Sequence, residues 1–166
     1  GMSAVTFYGG KKGSYEFLER IESESNIKAS IGSHSCVAAL EAYGGIKRIA
    51  FVSPYYPSAN AEVKQFFSDC GFETVRDINL QCPSAIAISE VPDSRLIEVL
   101  QELDGPDVDA IVQIGTNMSM MRLAAFAEKW LNKPVISINA ATYWHALRAN
   151  GIGDKVQGFG RLLEEF

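Results

Sequence analysis

Short apolar runs alternate with segments of helical period along this chain of 166 residues, and the alternation constrains the fold more than any other feature. An apolar or β-branched run followed by an amphipathic segment is typical of a βα unit, and successive units form a parallel sheet. The pattern predicts strands at residues 4–7, 28–31, 48–53, 73–78, 110–114 and 135–139. It predicts helices at residues 14–25, 35–43, 58–70, 92–103, 118–131 and 141–150. We therefore expect an α/β fold with a parallel sheet of flavodoxin-like βα units.

Residues 108–117 indicate where a ligand would bind. This run, VDAIVQIGTN, has the pattern of a buried strand that stops at small and polar residues before the next helix. In an open parallel sheet, ligands bind at the carboxyl ends of the strands. We therefore expect Gly115, Thr116 and Asn117 to border a pocket.

The composition excludes several classes of protein. With 47% hydrophobic residues, the chain can bury a core and form one globular domain. The net charge of −5 offers no basic surface to nucleic acid. No apolar run is long enough to cross a membrane and no signal peptide is present, so we expect a cytoplasmic protein. A nucleotide-binding domain has little support, because the run GGKKG at residues 9–13 is a poor match to any phosphate-binding loop.

The cysteines and histidines predict neither a disulfide framework nor a metal site. Cys36, Cys70 and Cys82 are odd in number and lack CxxC spacing, so they predict free thiols. No cluster of His, Asp and Glu residues has the spacing of metal ligands. We expect the protein to use no metal and no organic cofactor.

Two parts of the sequence resemble a known superfamily. The first contains RIAFVSPY at residues 48–55, ANAEV at 59–63 and CGFE at 70–73. The second contains KPVISIN at 133–139, WHALR at 144–148, GI at 151–152 and GFGRLL at 158–163. In their order and spacing, these segments resemble the aspartate/glutamate racemase superfamily, nearest to the branch of the maleate cis-trans isomerases and arylmalonate decarboxylases.

The resemblance implies two similar α/β lobes with a small carboxylic acid bound between them. Residues 1–33 would form part of the first lobe, residues 34–140 a complete βα lobe, and residues 141–166 a helix and tail that return to the first lobe. The family usually has another half-lobe before the segment that begins at Ser3, so we expect an upstream segment to be missing. An incomplete lobe would expose a sheet edge, which predicts a homo-oligomer.

The resemblance also implies how the acid is held, through hydroxyl groups and backbone amides at strand ends. It assigns the substrate-binding site to Thr6, Tyr55, Gly115, Thr116 and Asn117. Simpler roles stay open for four of them: Thr6 as an ordinary strand residue, Tyr55 as a turn aromatic, and Thr116 with Asn117 as caps of the following helix.

The chain departs from the family at both catalytic cysteines. The racemases and isomerases of this superfamily use one cysteine on each side of the substrate, and the decarboxylases keep the second as a proton donor. Here the two positions hold Val5 and Gly115, which can neither ionise nor attack a substrate. The two-cysteine chemistry of the family is therefore not open to this chain.

His34 and Cys36 are the candidate catalytic replacements, because a helix N-terminus and a nearby imidazole lower the pKa of a thiol. They follow a predicted strand and would face the pocket. The alternative is that Cys36 packs as a small apolar residue and that His34 is solvated or caps a helix. Cys70, Cys82 and His145 are more simply structural.

Two functions are consistent with these residues. The first is a cofactor-independent decarboxylase or isomerase that acts on a small carboxylic or dicarboxylic acid through an altered proton donor. The second is a catalytically degenerate relative that binds a small acid without turning it over. The missing cysteines weaken the first function, and the retained Thr116–Asn117 loop weakens the second.

Overall fold

The computed structural model describes residues 3–166, and a parallel sheet of four strands lies at its centre. The strands are β1 (Arg48–Ser53), β2 (Glu73–Asn79), β3 (Ala110–Gln113) and β4 (Val135–Ser137). Their order in the sheet is β2-β1-β3-β4, and each neighbouring pair is parallel. The prediction of an α/β fold with a parallel sheet is confirmed.

Helices surround the sheet in the described part of the chain: α1 (Gly10–Ser25), α2 (Gly32–Tyr43), α3 (Pro57–Asp69), α4 (Ala85–Ser89), α5 (Asp93–Leu103), α6 (Met121–Leu131), α7 (Ile138–Ala149) and α8 (Arg161–Glu165). The sequence predicts neither α4 nor α8, because five residues are too few to display a helical period. None of the helices within residues 3–166 is long and apolar enough to cross a membrane.

Both faces of the sheet are covered, as is usual for parallel strands. Side chains alternate along β1, so that Ile49 and Phe51 point to one face and Ala50 and Val52 to the other. All four are fully buried. Helices α2, α3, α7 and α8 cover the first face, and α5 and α6 cover the second. Helices on both faces therefore hold the sheet in place, and the ends of its strands fix the positions of the loops that follow them.

Two predicted strands are wrong, those at residues 4–7 and 28–31. Ala4–Thr6 is a single 3-10 turn, in which the backbone N–H and the hydroxyl of Thr6 donate to the Ser3 carbonyl at 3.1 and 2.7 Å. Residues 28–31 connect α1 to α2 without joining the sheet. Both segments have the composition of a strand, but a strand needs a neighbour for its backbone groups. Serine and threonine instead offer local hydrogen bonds that compete with strand pairing.

Candidate functional site

The chain reverses its direction across the sheet at β1, which lies between β2 and β3. The connection from β1 leads to β2 on one side, whereas β3 pairs with the other side of β1. The chain segments that leave β1 and β3 therefore lead toward opposite edges of the sheet, and the point between them is the usual ligand position in an open α/β sheet. A cavity of about 400 Å³ lies at this point, and we call it the switch-point cavity. It is lined by Ser3, Ala4, Pro54, Tyr55, Ala85, Ile88, Gly115, Thr116 and Asn117.

Gly115 sets the shape of the loop after β3. Its φ of +104° lies in the region that favours glycine. A Cβ atom on Gly115 would lie 2.6 Å from both Cγ and Cδ of Pro54, in the loop after β1. The two loops thus pack against each other where a side chain would otherwise stand. The observed backbone leaves no room for a thiol at this position.

Gln113 fixes the same loop from inside the sheet. This fully buried side chain donates to the carbonyls of Ile114 and Gly115 at 3.0 and 2.8 Å. Its Oε1 accepts a hydrogen bond from the Ser137 hydroxyl, at the end of β4, at 2.9 Å. Because a buried amide is costly to leave unpaired, these bonds hold the loop in one conformation. Sequence reasoning overlooks Gln113, since a glutamine inside a strand belongs to no catalytic pattern.

Thr116 and Asn117 border the cavity, as the position of the strand before them predicts. The backbone N–H of Thr116 donates to the Ser3 hydroxyl at 3.2 Å, and its carbonyl accepts from Nδ2 of Asn139 at 2.9 Å. The Asn117 amide donates to a backbone carbonyl of α4. Neither residue caps the following helix, because α6 begins only at Met121. The loop thus links the sheet to the residues on both sides of the cavity.

Ser3 and Tyr55 form the other polar part of the cavity, and their hydroxyl oxygens lie 2.7 Å apart. The backbone N–H of Tyr55 donates to the Ser53 hydroxyl at 3.1 Å, and that hydroxyl donates to Oδ1 of Asn60 at 2.6 Å. Burial raises the pKa of the Tyr55 phenol. The phenol is therefore protonated at neutral pH and is held from both its backbone and its hydroxyl.

Thr6 lies behind Ser3 and outside the lining of the cavity. Its hydroxyl donates to the Ser3 carbonyl at 2.7 Å and accepts from the Ser33 N–H at 3.3 Å. The predicted role of Thr6 in holding a carboxylate is therefore not supported by its position. Sequence reasoning selected Thr6 through the resemblance, in which Thr6 follows a catalytic position of the family, and it did not consider Ser3, which lies directly before the 3-10 turn.

Cys36 does not reach the switch-point cavity. Its side chain is fully buried in the apolar core on the first face of the sheet. Burial raises the pKa of the Cys36 thiol far above its ordinary value. Such a position suits a small apolar residue and opposes thiolate formation, which corrects the expectation that Cys36 faces the pocket.

His34 lines a second, smaller cavity of about 260 Å³, which we call the histidine cavity. It is lined by Lys11, Tyr15, His34, Val37, Ala38, Glu41, Phe66, Cys70 and His145. Burial, then the neighbouring His145 and Lys11, lower the pKa of His34. Burial also lowers the pKa of His145, whose Nδ1 lies 3.2 Å from the Ser35 hydroxyl. His34 therefore belongs to a different part of the molecule from the residues predicted to bind substrate.

The lining of the switch-point cavity combines polar and apolar residues. The polar residues are Ser3, Tyr55, Thr116 and Asn117, and the apolar residues are Ala4, Pro54, Ala85 and Ile88. None of the described residues that line it carries a charge. Within residues 3–166, no group of three or more His, Cys, Asp or Glu side chains is placed to hold a metal ion. The arrangement can hold one carboxylate by hydrogen bonds beside an apolar substituent.

Comparison with known proteins places the chain in a family. A family model described as arylmalonate decarboxylase matches residues 1–163. The arylmalonate decarboxylase of Bordetella bronchiseptica is 22% identical over 166 residues, which cover 98% of this chain and 69% of that protein. The maleate isomerase of Geobacillus stearothermophilus is 28% identical over 121 residues, which cover 72% of this chain and 48% of that protein. The chain thus spans about half the length of the maleate isomerases that it matches.

Solved structures agree with this match. The maleate cis-trans isomerase of Nocardia farcinica bound to TRIS has a TM-score of 0.92 at 22% identity, over 98% of this chain and 68% of that chain. A crystal structure of arylmalonate decarboxylase has a TM-score of 0.89 at 22% identity, over 99% of this chain and 73% of that chain. These likenesses show the fold, and the family match over residues 1–163 shows that the chain belongs to the arylmalonate decarboxylase family.

Proposed function

We propose that this protein decarboxylates a malonic acid that carries an apolar substituent, and that it does so in the switch-point cavity. The observation that carries the proposal is the mixed lining of that cavity, which combines hydrogen-bonding groups with apolar side chains and contains no charge among its described residues. Each kind of residue has a separate task in the reaction.

The polar residues of the lining would hold the carboxylate that stays with the product. The hydroxyls of Ser3 and Tyr55 and the backbone N–H of Thr116 lie within one hydrogen-bonded group, at 2.7 and 3.2 Å from one another. Hydrogen bonds to an ionised acceptor are about twice as strong as neutral ones. The same donors would stabilise the enediolate formed when carbon dioxide leaves, because negative charge then grows on the carboxylate oxygens.

The apolar residues of the lining would receive the carboxylate that leaves. A carboxylate loses its hydration there, whereas neutral carbon dioxide has little to lose, so an apolar surface favours the product of carbon–carbon cleavage. Pro54 and Ile88 supply part of that surface. The apolar substituent of the substrate would occupy the remainder.

Isomerisation of a double bond fits this cavity less well, because a group must add to the double bond before rotation. The Nocardia farcinica isomerase has been solved with a covalently bound succinylcysteine intermediate. In the present chain, no cysteine is found among the described residues that line the switch-point cavity, and Pro54 occupies the space that a side chain on Gly115 would need. Decarboxylation requires only that the charge left on carbon be delocalised and that this carbon then receive a proton.

The second candidate is a protein that binds a small carboxylic acid without turnover. The close packing of Gly115 against Pro54 favours it, because a side chain at the position that the resemblance assigns to the family's second cysteine would collide with the Pro54 ring. The two candidates share the same binding site and differ only in whether carbon dioxide is released.

The test is carbon dioxide release from phenylmalonate, with maleate as the comparison substrate and phenylacetate as the binding probe. The Ile88→Asn variant places a polar amide among the apolar lining residues, and we expect it to lower turnover by tenfold or more. The matched control is Ile86→Asn on the same helix, since Ile86 is exposed and does not line the cavity.

Turnover of phenylmalonate by the wild type, with loss in Ile88→Asn alone, would support the decarboxylase. Binding of phenylacetate without release of carbon dioxide would support the degenerate binder. Turnover of maleate in place of phenylmalonate would reject the decarboxylase in favour of an isomerase.

A further inference from the structure

We infer that the Tyr55 hydroxyl is the proton donor that completes decarboxylation, in a cavity whose described lining residues include no thiol for this step. The inference rests on the proposed function and assigns the one step that the function leaves open. Removal of carbon dioxide leaves an electron pair on carbon, and a proton must reach that carbon before the product can form.

The lining of the cavity offers few groups that could supply this proton. Among its described residues, side-chain O–H groups are found on Ser3, Tyr55 and Thr116, and none of the others is a cysteine, histidine, lysine or carboxylic acid. A phenol has an ordinary pKa of about 10, and an aliphatic hydroxyl is a far weaker acid. Tyr55 is therefore the strongest acid that the lining provides.

The Tyr55 hydroxyl is also placed beside the donors that would hold the substrate. It lies 2.7 Å from the Ser3 oxygen, which accepts the Thr116 N–H at 3.2 Å. When Ser3 donates to the Tyr55 oxygen, the phenolic hydrogen is free to point at the substrate. A substrate in the switch-point cavity would thus lie next to this hydrogen, because Tyr55 and Thr116 both line the cavity.

The position of the phenol is fixed by the structure around it. The Tyr55 backbone is tied through Ser53 to the buried Asn60, by hydrogen bonds of 3.1 and 2.6 Å. The ring packs against the apolar core on the first face of the sheet. Burial raises the pKa of the phenol, with Cys36 and Tyr8 acting in the same direction and the Ser3 hydrogen bond opposing them. Tyr55 consequently keeps its proton until a strong base forms in front of it.

The step balances without an oxidant or a further reactant. The bond between the substituted carbon and one carboxylate breaks, carbon dioxide leaves, and the electron pair passes into the remaining carboxylate to give an enediolate. The Tyr55 O–H bond breaks, its proton forms the new C–H bond, and the product is the substituted acetate. The resulting phenolate takes a proton from water, so the reaction consumes one proton from solvent.

The test compares the wild type with Tyr55→Phe, which removes one oxygen and keeps the ring in the core. The substrate is 2-methyl-2-phenylmalonate, because its product is chiral and records the face from which the proton arrives. Tyr56→Phe is the matched control, since Tyr56 is the exposed neighbour and does not line the cavity. The readouts are kcat, the ratio of product enantiomers and the Kd of phenylacetate.

We expect Tyr55→Phe to lower kcat by about 100-fold or more, the usual contribution of a general acid. Its remaining product should approach an equal mixture of enantiomers, while the Kd of phenylacetate changes less than tenfold and Tyr56→Phe behaves as the wild type. An active wild type whose Tyr55→Phe variant keeps its kcat and enantiomer ratio overturns this inference alone. A loss confined to binding also overturns it, because Tyr55 would then only hold the carboxylate. A wild type without turnover overturns the proposed function and this inference together.

Discussion

The two cavities of this protein differ in composition and in position, and these two criteria favour different cavities as the candidate site. The histidine cavity contains two imidazoles, a lysine, a glutamate and a thiol, yet it lies among helices. The switch-point cavity contains no charged group among its described lining residues, yet it lies at the carboxyl ends of β1 and β3, where the strand order reverses. The position in the sheet, rather than the number of titratable side chains, identifies the candidate site.

The two cavities also differ in how their side chains are held in place. Around the switch-point cavity, buried polar side chains such as Gln113 and Asn60 fix the backbone of each loop. In the histidine cavity, Nε2 of His34 is buried, and no hydrogen-bond partner for it is found in the described residues. Only the first arrangement is built to hold donors at constant positions, as a binding site requires.

Gly115→Ala should produce the largest effect on stability. An alanine there must adopt a φ that favours glycine, and its Cβ must displace the Pro54 ring, 2.6 Å away. Each term costs about 2 kcal/mol, so we expect a loss of about 4 kcal/mol. The measurement is the free energy of unfolding in urea.

Gly151→Ala is the matched control for Gly115→Ala. Gly151 also has a positive φ, of +70°, but a Cβ there has no neighbour within 4 Å in the described structure. It should lose only the backbone term, about 1–2 kcal/mol. Equal losses at the two positions would mean that the loops after β1 and β3 can separate, and the cavity would then have no fixed shape.

Asn60→Ala should cause the next largest loss. Asn60 is buried, accepts from the Ser53 hydroxyl at 2.6 Å and donates to the Asp77 carboxylate at 2.5 Å. Removing the amide leaves both partners without this bond, which costs about 2–3 kcal/mol. Gln65→Ala is the control on the same helix, because its bond to Asp69 is exposed and its loss should be below about 0.5 kcal/mol.

The measurement for Asn60→Ala is again urea unfolding, followed by binding of phenylacetate at a temperature where the variant remains folded. We expect weaker binding, since Asn60 supports the Ser53 hydroxyl that holds the Tyr55 backbone. Unchanged stability and binding would show that this polar network does not position the site.

Ser3→Ala and His34→Ala together should show which of the two cavities binds the carboxylate. Ser3 lies between the Tyr55 hydroxyl and the Thr116 N–H, so its removal should weaken phenylacetate binding by about tenfold, which corresponds to about 1.4 kcal/mol. His34→Ala should change the same Kd by less than twofold, because His34 lines the other cavity. Titration calorimetry measures both. A larger effect for His34→Ala would move the carboxylate site to the histidine cavity.

Much of the fold could be predicted from the sequence, because local patterns determine it. The four strands of the sheet are apolar runs next to amphipathic helices, and each prediction for them lies within two residues of the observed bounds. Residues 4–7 and 28–31 have similar composition, but they lack a neighbouring strand in the described structure. Strand pairing depends on residues far away in the chain, so composition alone cannot decide it.

The candidate site was predictable only where it follows directly from a strand. Gly115, Thr116 and Asn117 border the cavity because they follow β3. The contribution of Ser3 depends on a 3-10 turn and on the approach of residues 113 positions later, as in its bond to Thr116. Cys36 failed as a candidate for a related reason, since its place in the core depends on packing between helices and sheet.

The smallest expected effect concerns the pH dependence of stability, which should arise in the histidine cavity. The folded-state pKa values of His34 and His145 are lowered, chiefly by burial. Below the ordinary histidine pKa of about 6.5, the unfolded chain therefore binds protons that the folded protein does not. The stability contributed by the neutral imidazoles is fully present above that pH and decreases as the pH falls through the lowered folded-state pKa values.

Replacing both histidines by glutamine should give a shallower decrease in Tm between about pH 7 and about pH 5. Carboxylates titrate equally in both proteins, so the difference between the two curves isolates the imidazoles. Superimposable curves would mean that both imidazoles titrate as they do in water. Burial of titratable groups would then no longer distinguish the histidine cavity from the switch-point cavity.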